Sequence, residues 1–243
     1  GGAANVSGVA VDASGGYAYV ATWTSPSKVV ALRLSDNEQV ASLELMPGEE
    51  RVRVLLLDAA KGYLYAGCFG RPARVVKLKV GGGKIRRETA VVIPNDVGIV
   101  SGFLDDAGEY GYFGTYSNPG VVLKVGLAVA GREPRLKGRL VLSAKTETTE
   151  GEGQLYTAFR DGTTGYFGTF SAAEAKLVRV DLPTLRRAGT LNLPQLRNLS
   201  AGAVVPPEAY GGASAALLAT WGRPAQLLLV PLVGDAVAED AVV

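Results

Sequence analysis

The chain has 243 residues, 47% hydrophobic and 20% charged, enough to bury a full core and inconsistent with a disordered segment. A net charge of +2 and a sequence pI near 8.6 are too mild to argue for a nucleic-acid partner. The chain contains no histidine, which removes the commonest general base and the most frequent transition-metal ligand, and its one cysteine, Cys68, excludes an internal disulfide framework.

The longest apolar runs, such as Ala215–Ala219 and Leu227–Val230, fall far short of the roughly 18 residues a membrane-spanning helix needs. The sequence opens Gly-Gly-Ala-Ala-Asn, with no Met and no basic-then-apolar leader, and so reads as an excised or processed piece of something longer. Its 32 glycines and 12 prolines are spread along the chain, the pattern of frequent tight turns between short segments.

In chain order, the sequence predicts a strand at 8–11 and a second with Tyr17 and Tyr19 on one face and Val20 on the other. A third follows with Val30, Leu32 and Leu34 alternating, then a fourth over 40–45. The same four return as 54–57, Tyr63/Tyr65 against Ala66, Val76/Leu78/Val80 and 88–93. They return again as 102–104, Tyr110/Tyr112 against Phe113, Leu123/Val125/Leu127 and 136–142. The fourth copy is carried by Phe167, Val178/Val180/Leu182 and 188–193, the fifth by Leu228/Val230/Leu232. This is period-two strand writing, not a helical period.

A small residue followed by Thr closes each second strand: Ala21-Thr22, Gly67-Cys68, Gly114-Thr115, Gly168-Thr169 and Ala219-Thr220. The second members lie 46, 47, 54 and 51 residues apart, and Cys68 occupies a threonine slot. The connections Ala128–Arg135 and Leu142–Gly153 absorb the longest spacing as surface loops. Gly81-Gly82-Gly83-Lys84 lacks the Ser/Thr and the strand–loop–helix setting of a phosphate loop, and reads as a hairpin turn.

Four strands per unit of about 46 residues is the period of a β-propeller blade. The expected fold class is all-β: a β-propeller with five four-stranded blades visible in the sequence, either closing among themselves or belonging to a larger propeller or longer chain. As one domain over 1–243, its blades would span about 1–48, 49–95, 96–150, 151–198 and 199–243. The first strand of each would line the central channel and the fourth would lie at the rim.

Asp12, Gly16, Tyr17, Tyr19, Val20, Thr22, Val29, Val30 and Leu32 spell D-x3-G-x-Y-x-Y-V-x-T followed by V-V-x-L. This pattern resembles the YVTN and NHL-like class of propeller repeats, over essentially all five units. The form Tyr-Phe-Gly-Thr with Asn-Pro-Gly-Val-Val, at 112–122, is similar to repeats of secreted, surface-displayed proteins of microalgae and other protists, mastigoneme-like proteins among them. That resemblance implies an extracellular, structural role. The fifth copy departs most, with Leu217 in the Tyr19 slot and Pro206-Pro207 where the first copies carry Asp.

Asp12, Asp58 and Asp105/Asp106 each end a first strand just before a Gly-bearing turn, where Asp accepts hydrogen bonds from its own turn backbone. The competing reading makes them ligands of a metal-dependent channel hydrolase or lactonase. The ten tyrosines fall at repeat positions, which favours packing over a sialidase-type nucleophile, and no S-x-D-x-G-x-x-W box occurs.

Two features stand apart. An aromatic follows every anchor, Trp23, Phe69, Tyr116, Phe170 and Trp221, with Pro26, Pro72, Pro119 and Pro224 three residues later in four copies. These either clamp each turn against the next blade or form a rim of flat surfaces for sugar rings or a partner subunit. Asn5-Val6-Ser7 and Asn198-Leu199-Ser200 are N-glycosylation acceptors. The cations of the second copy, Arg71, Arg74, Lys77, Lys79, Lys84, Arg86 and Arg87, read as a solvated edge guarded against strand pairing, or less simply as a site for an acidic polysaccharide.

The expected function is a non-enzymatic extracellular structural or interaction module, a propeller subunit of a secreted or cell-surface assembly that is filamentous and glycosylated. The alternative is a carbohydrate-binding propeller using the aromatic rim, and a third is the channel hydrolase. No catalytic residue, metal or cofactor is expected. The expected partners are other protein subunits, copies of the chain itself, or glycans, with no nucleic acid and no membrane span.

Overall fold

The computed structural model describes residues 5–127, 133–144, 151–171 and 173–232. Among the described residues it is all-β, with nineteen strands in five antiparallel sheets and a single 3-10 turn, Pro207–Ala209. No helix there is long and apolar enough to cross a membrane.

The first sheet runs β1 (Val6–Asp12), β2 (Tyr17–Thr22), β3 (Lys28–Arg33) and β4 (Gln39–Glu44), each strand paired with the next. The second runs β5 (Val52–Asp58), β6 (Tyr63–Cys68), β7 (Ala73–Gly81) and β8 (Lys84–Ile93). The third runs β9 (Ile99–Leu104), β10 (Tyr110–Thr115), β11 (Val121–Gly126) and β12 (Arg135–Val141). The fourth runs β13 (Leu155–Asp161), β14 (Thr164–Thr169), β15 (Ala175–Asp181) and β16 (Arg186–Leu193).

The fifth sheet has β17 (Leu199–Val205), β18 (Ala215–Thr220) and β19 (Leu227–Pro231); its expected outer strand, in 233–243, lies outside the described residues. The expected loops at 128–135 and 142–153 likewise fall largely on 128–132 and 145–150, outside them. Each sheet is a meander in chain order, the form of a propeller blade, and the fold is a five-bladed β-propeller. In the fifth blade Pro207 opens the 3-10 turn, where its fixed φ suits a first helical position, in place of the aspartate-capped turn of the first three.

The chain divides into two compact units, Gly1–Phe113 with Lys124–Lys137, and Gly114–Leu123 with Gly138–Val243. In the first, Tyr19, Ala21, Val29 and Ala31 of blade one pack on Leu55, Ala66, Val76 and Leu78 of blade two. The tyrosine face of one blade thus meets the Ala66 face of the next, as period-two alternation requires. The first strands β1, β5 and β9 lie one against the next. In the second unit, Phe159, Tyr166 and Leu177 of blade four pack on Leu199, Ala216, Leu218 and Leu228 of blade five, with β13 against β17. Burying each such Phe or Leu contributes about 1.5–3 kcal/mol.

The small residue of each anchor has a steric cause. A Cβ on Gly67 would sit 2.5 Å from Ile99 Cγ2 in the next blade's first strand and 3.2 Å from Val54 Cβ opposite it. On Gly168 it would meet Thr157 Cγ2 at 2.5 Å and Leu199 Cδ1 at 3.0 Å. Where the anchor is alanine, the facing residue is small instead: Ala21 stands opposite Gly8 and Ala219 opposite Ala201, whereas Gly67 faces Val54 and Gly168 faces Thr157. Volume is traded across the strand pair, as close packing demands.

The second and third strands hold one register. Val20 pairs with Val30, Ala66 with Val76 and Leu218 with Leu228, but Phe167 pairs with Val178. The extra residue of the fourth copy is therefore absorbed in the turn, where it shifts neither strand. Gly81 pairs with Lys84 around Gly82 (φ 56°) and Gly83 (φ 73°), the two positive-φ positions of a tight hairpin turn.

Candidate functional site

Every sequence-marked aromatic sits in the turn between second and third strands. The anchor threonine organises that turn: its Oγ1 accepts a hydrogen bond donated by the amide six residues on, Lys28 N–H to Thr22 (2.9 Å), Val121 N–H to Thr115 (3.0 Å) and Gln226 N–H to Thr220 (2.9 Å). In the fourth copy the amide is that of Lys176, seven residues after Thr169 (2.9 Å). Cys68 has no hydroxyl to offer, and there the backbone ladder runs one residue further, pairing Cys68 with Arg74. The Cys68 thiol is fully buried, and desolvation pushes its pKa up to about 12, so it is inert in the folded chain. The prolines marked in sequence all follow cis peptide bonds, at Pro26, Pro72, Pro119 and Pro224.

The turn docks on the segment leading into the next blade. The amides of Arg51, Gly98, Gln154 and Asn198 donate to the carbonyls of Thr24, Gly70, Ser117 and Ser171, at 2.9–3.0 Å. A second rung runs back from Ser27, Ala73, Gly120 and Ala175 to the carbonyls of Glu49, Asp96, Glu152 and Leu196, at 2.8–3.0 Å. Arg51, Gly98, Gln154 and Asn198 all have positive φ, 44–52°, which Asn and Gly adopt most readily.

Side chains reinforce the rungs. Glu49, 2% exposed, accepts Arg87 Nε at 3.0 and 3.1 Å through its two oxygens and caps the Met46 amide. Glu152, also 2% exposed, accepts Arg187 Nε at 3.0 Å through both oxygens, with Arg187 Nη2 at 2.6 Å, and caps the Ser143 amide. Desolvation pushes the Glu152 pKa up, but the bonds from Arg187, Thr190 and Ser143 outweigh it and hold the carboxyl below its ordinary value. These struts escaped the sequence reading. Their signal is an acid two residues before the positive-φ residue, at 49, 96 and 152, with Leu196 as the exception.

The aromatics divide. Trp23 packs on Phe69 with ring centroids 5.1 Å apart, and a Cβ on Gly98 would come within 2.7 Å of the Phe69 ring. Tyr116 and Phe170 both contact Tyr156, at 5.7 and 4.6 Å, so these four marked residues serve as clamps. Trp221 does not: it is 70% exposed. It lines a shallow groove with Gln195, Arg197, Asn198, Arg223 and Gln226. Of the two glycosylation acceptors, Asn5 is exposed immediately before β1, and Asn198 is half-buried immediately before β17, its carbonyl accepting the Trp221 amide at 2.8 Å.

The aspartates do not converge. Asp12 accepts the Gly15 amide (2.8 Å), Asp58 that of Lys61 (3.0 Å), and Asp105 those of Glu109 (2.8 Å) and Tyr110 (3.0 Å), each within its own turn. Among the described residues no three His, Cys, Asp or Glu side chains group as a metal site. The cations of blade two depart from the expected solvated edge. Lys77 is fully buried, with Nζ 3.9 Å from the Tyr63 ring and 3.6 Å from Glu88, and Arg87 belongs to the Glu49 strut. Lys84 and Arg86 alone keep the exposed-edge role on β8, where Arg86 pairs with Glu88 at 2.7 Å.

No protein-family profile matches the chain, and no curated protein does. Solved structures do. Hydrazine synthase of Kuenenia stuttgartiensis is similar over 93% of this chain and 65% of its own, with a TM-score of 0.65 and 9% identity. A chain of a Mitotic Checkpoint Complex is similar over 98% of this chain and 66% of its own, with a TM-score of 0.63 and 12% identity. Such likeness shows the propeller fold. At these identities it carries nothing of either protein's activity. The chain spans about two thirds of the length of each.

Proposed function

We propose that the chain is a non-catalytic interaction module, a propeller subunit of a secreted or cell-surface assembly. One observation carries the reading: the polar groups that recur along the chain are engaged in holding the blades. The aspartates close turns, the threonines close hairpins, and Glu49 and Glu152 brace junctions against Arg87 and Arg187. What varies between copies is the side chains at the turns, where a scaffold carries its recognition residues. The extracellular setting rests on the resemblance of the repeat to YVTN/NHL-like and mastigoneme-like surface proteins, and on the acceptors at Asn5 and Asn198, with partners being other subunits, further copies or glycans.

Peptide mapping of the chain from its native source tests the setting: hexosamine mass on the Asn5 or Asn198 peptide supports it, and unmodified peptides at both sites oppose it. Incubating the dialysed chain with lactone, ester and glycoside substrates tests the lack of catalysis. Turnover that scales with protein and disappears in Asp58→Asn would revive the channel-hydrolase reading. The rim reading narrows to Trp221, the exposed member of the set.

A further inference from the structure

The groove beside Trp221 is where the repeat changes its chemistry. At the junction of blades one and two, the residue before the positive-φ position is Glu50, which accepts the Ser25 hydroxyl. At the junction of blades four and five the same slot holds Arg197, and in the turn of blade five the position that Ser25 takes in blade one holds Arg223; both line the groove. Both arginines are exposed, and among the described residues neither has a hydrogen-bond or ion-pair partner. Among the described residues no Asp or Glu lines the groove, which gathers the two cations with the open indole.

We infer that this groove binds an acidic sugar residue, a uronate within an oligosaccharide. The indole offers a flat apolar face for the C–H face of a pyranose ring. Arg197 and Arg223 offer planar donor forks suited to a carboxylate. Gln195 and Gln226 offer amide donors and acceptors for ring hydroxyls. A neutral sugar would leave the guanidinium groups unused, and a nucleotide would leave the amides with few hydroxyls to meet. The inference rests on the reading of the chain as a non-catalytic module and names what one of its turns recognises.

The test uses tryptophan fluorescence, because the chain has two tryptophans and Trp23→Phe leaves Trp221 as sole reporter. Trigalacturonate quenches that emission saturably, while its fully methyl-esterified form, identical but uncharged, binds at least tenfold more weakly. Arg197→Ala and Arg223→Ala each weaken trigalacturonate binding about tenfold, the scale of a lost charge-assisted hydrogen bond. Trp221→Ala removes binding measured by calorimetry, with an unchanged circular-dichroism spectrum and unfolding midpoint. Equal affinity for the methyl ester, equal quenching by adenosine monophosphate, or no saturation at 10 mM trigalacturonate would each overturn the assignment. Chromatography of the ligand after incubation separates the two readings: shortened oligomers would refute the non-catalytic reading with the site intact, whereas absent binding would refute the site alone.

Discussion

The junction of blades one and two and the junction of blades four and five share their backbone and differ in most of their side chains. Both are tied by the same two rungs, Arg51 to Thr24 and Ser27 to Glu49 in one, Asn198 to Ser171 and Ala175 to Leu196 in the other. Yet Glu49 anchors Arg87, whereas Leu196 is 2% exposed in an apolar cluster. Ala21 stands opposite Gly8, whereas Gly168 stands opposite Thr157. Glu50 is answered by Ser25, whereas Arg197 is exposed with no hydrogen-bond or ion-pair partner among the described residues. Backbone hydrogen bonds thus set the geometry of both junctions, and the side chains around them differ as matched sets, which predicts that they exchange together better than singly.

The largest expected effect comes from breaking one set. Glu49→Ala leaves the Arg87 guanidinium part-buried without its partner and lowers stability by about 3 kcal/mol, the lower end of the range for half a buried pair because Arg87 is part-exposed. Converting the junction to the apolar form of its counterpart, Glu49→Leu with Arg87→Leu, costs far less, since well-packed apolar residues replace a buried pair nearly neutrally. Urea unfolding midpoints measure both, and equal losses for the single and double variants would show that the sets are not exchangeable.

The next effect is steric. Gly168→Ala forces a methyl against Thr157 and Leu199 and costs about 2 kcal/mol of overpacking. Adding Thr157→Ala copies the Ala201–Ala219 pair of blade five and recovers more than half of that loss in the same assay. If the double variant were no better than the single one, the traded volume would not be the reason for glycine.

Most of the fold was legible because it repeats. Fifteen aliphatic positions in period two and five anchors specify strands, blades and even the turn that takes the inserted residue. The turn roles of Asp12, Asp58 and Asp105 were legible for the same reason, since a local hydrogen bond depends on local spacing. The struts were not, because Glu49 and Arg87 lie 38 residues apart and each resembles an ordinary surface charge in sequence. Nor could sequence divide the aromatics. Trp23 and Trp221 occupy the same slot, and only the Phe69 ring packed on Trp23 distinguishes a clamp from an open ring.

A smaller effect tests the hairpin anchor. Thr169→Val removes the acceptor for the Lys176 amide and costs about 1 kcal/mol, a net hydrogen bond in a part-buried turn. Cys68→Thr restores the repeat's usual hydroxyl in a slot where the backbone ladder already closes the turn, so it shifts the unfolding midpoint by less than the Thr169 change. A Cys68→Thr gain as large as the Thr169→Val loss would mean that the longer ladder of blade two does not substitute for the hydroxyl.

The smallest effect is electrostatic and separates a carboxylate junction from the apolar one by pH. Burial favours the neutral form of Glu152, but Arg187, Thr190 and the Ser143 amide favour the ionised form more strongly, so its folded pKa lies below the ordinary 4.5. A carboxyl depressed in this way contributes its stability in full above the unfolded pKa and loses it as pH falls through the folded value. Wild-type stability therefore declines below about pH 4.5, partly through this group. Glu152→Gln is less stable at pH 7 and declines less steeply on acidification, so the gap between the two proteins narrows as Glu152 is protonated. Urea midpoints at pH 7, 5, 4 and 3 read that gap. Leu196→Ala, which opens a cavity at the apolar junction, should be displaced from wild type by a constant amount at every pH, because no proton is exchanged there. A gap for Glu152→Gln that stayed equally constant would show that Arg187 gains nothing from the ionised carboxylate, and that the two kinds of junction are held by packing alone.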